Sequence, residues 1–318
     1  MRKNLRAALV LGAFAGAASL AVSACGARTG LLAPEEVDGG PDVKHHDASI
    51  DEAAPPEEDA IPPIDNFVPD VPVFTDCPDA GSTLVYLITE ENELLSFYPP
   101  TLGFTTIGKI ACPNTTATPF SMGVDREGVA YSCFTDGHLF QLSTANASCK
   151  PTSFVPDQQS FQTFCMGYAG LPDGGERLYV VDCNGGSSAS LGLGWIDTQS
   201  YVLSFVGAFQ PDEPSCELTG TADGRLFGFC LNPVGGGSRV IQIDPTDAHV
   251  IAQNSLQVGQ PNDGFAFAYW GGVFWIFTTP GGTSTVTEWD PNTLAETTVA
   301  TYAGSIVGAG VSTCAPEN

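Results

Sequence analysis

Asp125, Asp173, Asp223 and Asp263 each precede or enter the turn that follows a short Gly-containing apolar stretch, read as the innermost strand of a repeat. Carboxylates repeated around one face of a ring would offer hard oxygen ligands to calcium or another cation. Aspartate at such turns also caps its own backbone, and plain turn chemistry is the favoured reading of all four. His138 follows Asp136-Gly137, and His249 follows Pro245-Thr246-Asp247. Both read as solvated turn residues rather than bases or ligands, and His45-His46 read as solvated linker residues. There is no Gly-x-Ser-x-Gly elbow, His-Glu-x-x-His pair or Walker A loop. Gly192-Leu193-Gly194 lacks the third glycine and the helix of a dinucleotide loop. Tyr269 and Trp270 are the aromatic residues a ligand face would use, although the alternation from Phe265 to Phe277 reads first as core. No enzyme is named by these residues. No cofactor is expected, with calcium at the aspartates as the alternative.

Cysteine offers a different chemistry. Cys25 closes Val22-Ser23-Ala24-Cys25, after a basic start (Arg2, Lys3, Arg6) and an apolar run over residues 7–22. These are the three regions of an export signal. The run has 16 residues, short of the about 20 that a spanning helix needs. Val-Ser-Ala-Cys resembles the bacterial lipoprotein signal. That resemblance implies removal of residues 1–24, lipidation of Cys25 and, with Gly26 rather than Asp next, anchoring in a bacterial outer membrane.

Nine further cysteines remain, with no Cys-x2-Cys pair among them. In an exported chain they read as disulfides. Cys216 and Cys230 are equidistant from Asp223, and Cys165 and Cys183 from Gly174. Equal spacing about a hairpin turn sets two residues opposite each other on antiparallel strands, close enough to bridge. The spacing predicts Cys165–Cys183 and Cys216–Cys230 as equivalent bridges. The second would span a three-residue loop with Gly224 left-handed. Cys77 with Cys314 would lock the two ends of a domain, and Cys112 with Cys149 would then pair, leaving Cys133 free.

Charge narrows the partners. Without residues 1–24 the chain keeps 8 basic and 36 acidic side chains, a net of −28. Such a surface repels phosphate backbones, so nucleic acid is not expected as a partner. Anionic bilayers would repel it as well, which leaves the lipid as the anchor.

The elements that must carry these residues fall into two regions. Residues 26–76 hold eight Pro and thirteen Asp or Glu against Arg28 and Lys44. Sparse apolar residues without a period cannot offset the ordering entropy, so residues 25–76 read as a disordered tether. Residues 77–318 are rich in Gly, aromatics, Val and Thr, with short apolar runs between turn signals and no helical period. This is the pattern of an all-β domain. It repeats: Tyr86, Tyr131, Tyr179, Phe227 and Phe274 are spaced by 45, 48, 48 and 47 residues, each at the head of a short strand. Four strands per repeat of this length is the signature of a β-propeller blade. The first repeat lacks its innermost strand, and Ser305–Ser312 looks like an innermost strand with no repeat after it. The prediction is a five-bladed propeller closed by the C-terminal strand, with six blades as the alternative.

Ala111-Cys112-Pro113, Pro119–Arg126, Leu218–Phe229 and Ile306–Pro316 together resemble a group of myxobacterial lipoproteins. The resemblance covers most of residues 77–318 and brings no activity with it. More distantly the repeats are similar to NHL, YVTN and quinoprotein-like propellers, without the tryptophan docking motifs of the last. The leading expectation is a lipid-anchored, monomeric envelope protein whose propeller is a non-enzymatic binding or scaffold module for a protein, peptide or glycan. The alternatives are a propeller hydrolase or lyase with a calcium site, and a structural envelope component.

Overall fold

The computed structural model describes residues 60–64, 83–183, 189–232, 236–259 and 264–317. The first strands are β1 (Val85–Thr89), β2 (Glu93–Tyr98) and β3 (Gly103–Lys109). A second set follows: β4 (Pro119–Val124), β5 (Val129–Phe134), β6 (Leu139–Ser143) and β7 (Cys149–Pro151). The third is β8 (Phe164–Gly170), β9 (Glu176–Asp182), β10 (Leu193–Ile196) and β11 (Leu203–Gly207). The fourth is β12 (Cys216–Gly220), β13 (Leu226–Leu231), β14 (Ser238–Ile243) and β15 (Val250–Leu256). The fifth is β16 (Gly264–Trp270), β17 (Val273–Thr279), β18 (Ser284–Asp290) and β19 (Ala295–Tyr302), and β20 (Ile306–Val311) comes last.

Each set forms a four-stranded antiparallel sheet, and β20 completes the first in the order β20-β1-β2-β3. Val85 faces Val311 and Leu87 faces Ala309 across that closing pair. The chain is therefore a five-bladed β-propeller, with β20, β4, β8, β12 and β16 innermost.

Its core is divided among five blade interfaces. Along β13, Leu226 and Cys230 pack toward blade three, while Phe227 and Phe229 pack toward blade five. Along β17, Phe274 and Ile276 face blade four, whereas Trp275 and Phe277 face blade one. Successive side chains of a strand point to opposite faces, and both faces of each blade are covered. This is why the second strands read as continuous apolar runs rather than as alternating ones.

The same alternation corrects the repeat. Tyr131, Tyr179 and Phe227 each face the following blade, but Phe274 faces the preceding one. Trp275 is the true counterpart in blade five. The β16–β17 hairpin turns on two residues, Gly271 and Gly272, with Trp270 facing Val273. The corresponding turns of blades two to four use three residues, and a one-residue slip exchanges the faces of a strand.

Three disulfides join described residues. Cys216 and Cys230 face each other directly, with Cα atoms 4.2 Å apart. Cys165 faces Val181 rather than Cys183, and the Cys165–Cys183 bridge runs diagonally with Cα atoms 5.7 Å apart. The hairpin is centred on Asp173, not Gly174, because Gly170 pairs with Glu176. The two bridges are therefore not equivalent positions of their blades. Cys112–Cys149 ties the connection between blades one and two to the outer strand of blade two. Cys133 is free and buried. Cys314 is disulfide-bonded, whereas Cys77 and Cys25 lie outside the described residues.

A short piece of the expected tether, residues 60–64, contacts blade four, with Ile64 buried. The Gln253 N–H donates to Pro62 O at 2.8 Å, and the Ile64 N–H donates to Asn254 Oδ1 at 2.9 Å. Ile64 joins the cluster between blades four and five. Within the stretch expected as a tether, residues 60–64 thus lie against the propeller, with Ile61 and Ile64 as their apolar contacts.

Candidate functional site

The hairpins that leave the innermost strands gather at one mouth of the ring. Three share a local design: Asp125, Leu171 and Thr221 each accept from a glycine three residues on (Gly128, Gly174, Gly224) and donate to the residue four on. Those glycines have φ of +78°, +87° and +88°. A type I turn closed by a left-handed glycine is the usual three-residue hairpin loop. Glycine is needed there because a Cβ would crowd the backbone.

Aspartate serves these turns directly. Asp125 Oδ1 accepts from Val129 N–H at 2.7 Å, and Asp173 Oδ1 accepts from Gly175 N–H at 3.0 Å. Asp223 takes the Arg225 Nε–H at 2.8 Å and the Thr221 hydroxyl. Asp263 lies outside the described residues; it precedes β16, so it does not enter the turn after that strand. The structure gathers no shared carboxylate set from Asp125, Asp173 and Asp223. Among the described residues no group of three or more His, Cys, Asp or Glu is placed to hold a metal ion.

Blade one has no such hairpin, since its innermost strand is β20. Residues 312–317 follow that strand and cross the mouth instead. At one side the Thr313 hydroxyl donates to Glu176 Oε2 at 2.9 Å and accepts from Arg126 Nε at 2.7 Å. Arg126 also reaches Gly174 O with Nη1 at 2.6 Å, which ties blade two to blade three. At the other side, Gly271 N–H donates to Pro316 O at 2.7 Å, and the Tyr269 hydroxyl donates to Glu317 O at 3.2 Å. The Glu317 carboxylate accepts from Ala222 N–H at 3.1 Å and from Arg225 Nη2 at 3.2 Å. Thr313 is 1 % exposed, so this segment is part of the packed structure.

Burial sets the proton affinity of the carboxyls here. Asp125 is pushed up to about 6, chiefly by burial and against the Val129 N–H, with Glu127 adding repulsion. Glu176 is raised by burial, which outweighs Arg126 and Thr313. Glu317 is raised by burial and then by Asp223. A carboxyl taken from water loses hydration that its partners replace only in part.

Deeper in the ring, Glu217 of β12 is fully buried and accepts from the Ser121 hydroxyl of β4 at 2.9 Å. Ser121 Oγ also accepts from Met166 N–H of β8 at 3.1 Å. One serine thus links blades two, three and four. Burial raises Glu217 well above the usual carboxylate range, against the Ser121 bond. No signal marked Glu217 except a charge within a Gly-containing apolar strand.

Tyr269 and Trp270 take the favoured core reading. Tyr269 is 2 % exposed and lies beneath residue 317, and it stacks on Phe227 with ring centroids 5.9 Å apart. Trp270 is half-buried, its Nε1–H donating to Thr83 O at 2.8 Å. The Tyr269 ring packs between blades four and five with its hydroxyl turned to the segment after β20, and Trp270 packs between blades five and one. His138 and His249 are exposed beside Asp136 and Asp247. The two arginines of the mouth escaped sequence reasoning. Their signal was Asp125-Arg126 and Asp223-Gly224-Arg225, at matching turns of a chain with 11 basic residues.

No family model matches the chain. No curated protein matches it either. Among solved structures it is similar to a chain of a nidogen/laminin complex, with TM-score 0.48 and 13 % identity over 72 % of this chain and 97 % of that one. TolB from Acinetobacter baumannii gives TM-score 0.44 and 11 % identity over 73 % and 67 %. The Dos1 propeller gives TM-score 0.38 and 10 % identity over 71 % and 69 %.

Proposed function

We propose that this chain is a lipid-anchored envelope protein whose propeller works as a non-enzymatic binding module. The observation that supports binding is at the mouth. Side chains and N–H groups on the turns of blades two to five hold a stretch of polypeptide, residues 313–317, through backbone and carboxylate contacts. Rigid hairpins presenting donors in fixed positions lower the entropic cost of capturing a ligand. The partner class that fits is a protein or peptide. Nucleic acid does not fit a chain of this charge.

Export and anchoring rest on the sequence of residues 1–25, and the likeness to myxobacterial lipoproteins fits an outer-membrane address. Residues 25–59, ahead of the contact at 60–64, would set the distance between anchor and propeller. The test is in cells of a bacterium with two membranes. Wild-type chain and Cys25→Ser should differ in fractionation, with only the wild type in outer-membrane vesicles and labelled by a fatty-acid analogue. Chemical cross-linking should then capture the same protein partner only when the mouth is intact. A soluble wild-type chain, or a capture yield unchanged by Arg126→Gln, would refute the reading.

A further inference from the structure

The contacts of residues 315–317 have the form of peptide recognition. Pro316 and Glu317 are bound through two main-chain carbonyls, which accept from Gly271 N–H at 2.7 Å and the Tyr269 hydroxyl at 3.2 Å. The Glu317 side chain is bound through both oxygens, at 3.1 Å to Ala222 N–H and 3.2 Å to Arg225 Nη2. A backbone N–H and a guanidinium aimed at one carboxylate make a directional, charge-assisted pair. Arg225 is braced in place by its neighbours. Asp223 takes its Nε at 2.8 Å, and its guanidinium lies 5.8 Å from the ring centres of Phe227 and Tyr269. All four donors come from blades four and five, on two hairpins fixed by β12–β13 and β16–β17 pairing. None belongs to the segment they bind.

We propose that the β12–β13 and β16–β17 turns form a docking site for an extended acidic peptide carrying Pro-Glu, and that residues 315–317 fill it as an internal ligand. This rests on the binding reading above and specifies the ligand class. The carboxylate chooses the partner, because an uncharged amide of the same shape has one acceptor oxygen for two donors and would turn an N–H group toward Arg225 Nη2 or the Ala222 N–H. The internal segment competes at high effective concentration, so an outside peptide must displace it. Access is thereby confined to partners that present several such contacts at once.

The test uses a fluorescent peptide, Ser-Thr-Ser-Ala-Pro-Glu-amide, which repeats residues 312–317 with Ser for Cys314. It is titrated into the wild-type chain, into a chain shortened after Cys314, and into full-length Glu317→Gln. The shortened chain keeps β20 and its closing pair. It should bind at least tenfold more tightly than the wild type, and Glu317→Gln should fall between. The Pro-Gln peptide should bind the shortened chain at least tenfold more weakly than the Pro-Glu peptide, and Arg225→Gln should remove that preference. Equal binding of the two peptides, or no gain on shortening in a chain that still melts cooperatively, would overturn the proposal. If shortening disturbs folding, Glu317→Gln decides: no gain over the wild type overturns it. The broader binding reading fails separately. A cross-linked partner captured equally by wild-type and shortened chains would keep that reading and sink this one.

Discussion

Glu217 and Cys133 show how burial alone redirects ordinary side-chain chemistry. Glu217 sits in the ring interior with Ser121 as its hydrogen-bond partner and a proton affinity well above the usual range. A carboxyl raised by folding contributes stability that is complete below its unfolded pKa and is lost as pH rises through the folded one. Wild type should therefore lose thermal stability relative to Glu217→Gln between acid and alkaline pH. Melting curves for both proteins from about pH 4 to about pH 9 check this. A constant difference would mean that folding leaves the proton affinity of the carboxyl unchanged. Cys133 is buried and its thiol is pushed up to about 12, chiefly by burial. The thiolate is the reactive form. Iodoacetamide at mildly alkaline pH should leave Cys133 unlabelled in the native protein and modify it on unfolding, as read by peptide mapping; native labelling of Cys133 would contradict the packing. Neither property was legible in the sequence, which placed Cys133 only by elimination and passed over Glu217.

At the scale of strands and turns the chain is more explicit. Gly-containing turns after apolar runs gave the hairpins of blades two to four, and the left-handed Gly224 closes the three-residue loop that its spacing implied. Close approach between blades is a matter of elements as well. A Cβ on Gly220 would lie 2.5 Å from Tyr168 O of blade three, so Gly220→Ala must separate two innermost strands. A drop in melting temperature is expected, and an unchanged melt would show that the blades can part freely. Phe274 is 1 % exposed between Trp289 and Phe267, with ring centroids 5.2 Å from each. Phe274→Ala should cost about 3–5 kcal/mol, the range for a buried aromatic that leaves a cavity, as read from denaturant unfolding. What the sequence misplaced at this scale was register: it aligned Phe274 where Trp275 belongs. A repeat of aromatic residues does not report which face each one takes when a turn shortens by one residue.

Closure belongs to the whole molecule. β20 pairs with β1 and packs against β4 and β16, so one strand near residue 311 holds the first blade to the rest. Removing residues 305–318 should uncover Val85 and Leu87, bind a hydrophobic dye and broaden the unfolding transition. A sharp transition with no dye binding would mean that the ring closes without this strand. Within a blade, removing Cys216–Cys230 should cost about 3 kcal/mol in the chain-entropy model for a loop of this length, measured by denaturant unfolding of the Cys216→Ala/Cys230→Ala double variant. Blade number and closure were both legible in advance. The missing innermost strand of the first repeat and the extra strand of the last are complementary, and a sheet without that partner would leave an open edge.

Local pattern and composition determined the all-β class, the four-stranded repeat, the five blades and the turn role of Asp125, Asp173 and Asp223. Class, repeat and turns follow from apolar runs and turn propensity, which are short-range in sequence, and the blade count from the complementary strands that the first and last repeats leave over. Only the tertiary structure decided what the mouth is made of. Arg126, Glu176 and Thr313 are far apart in the chain, as are Ala222, Arg225 and Glu317, and they meet because ring closure carries the segment after β20 across the turns of the other blades. The partner of a buried charge is set by which turns a closed ring brings together, and no spacing along the sequence encodes that.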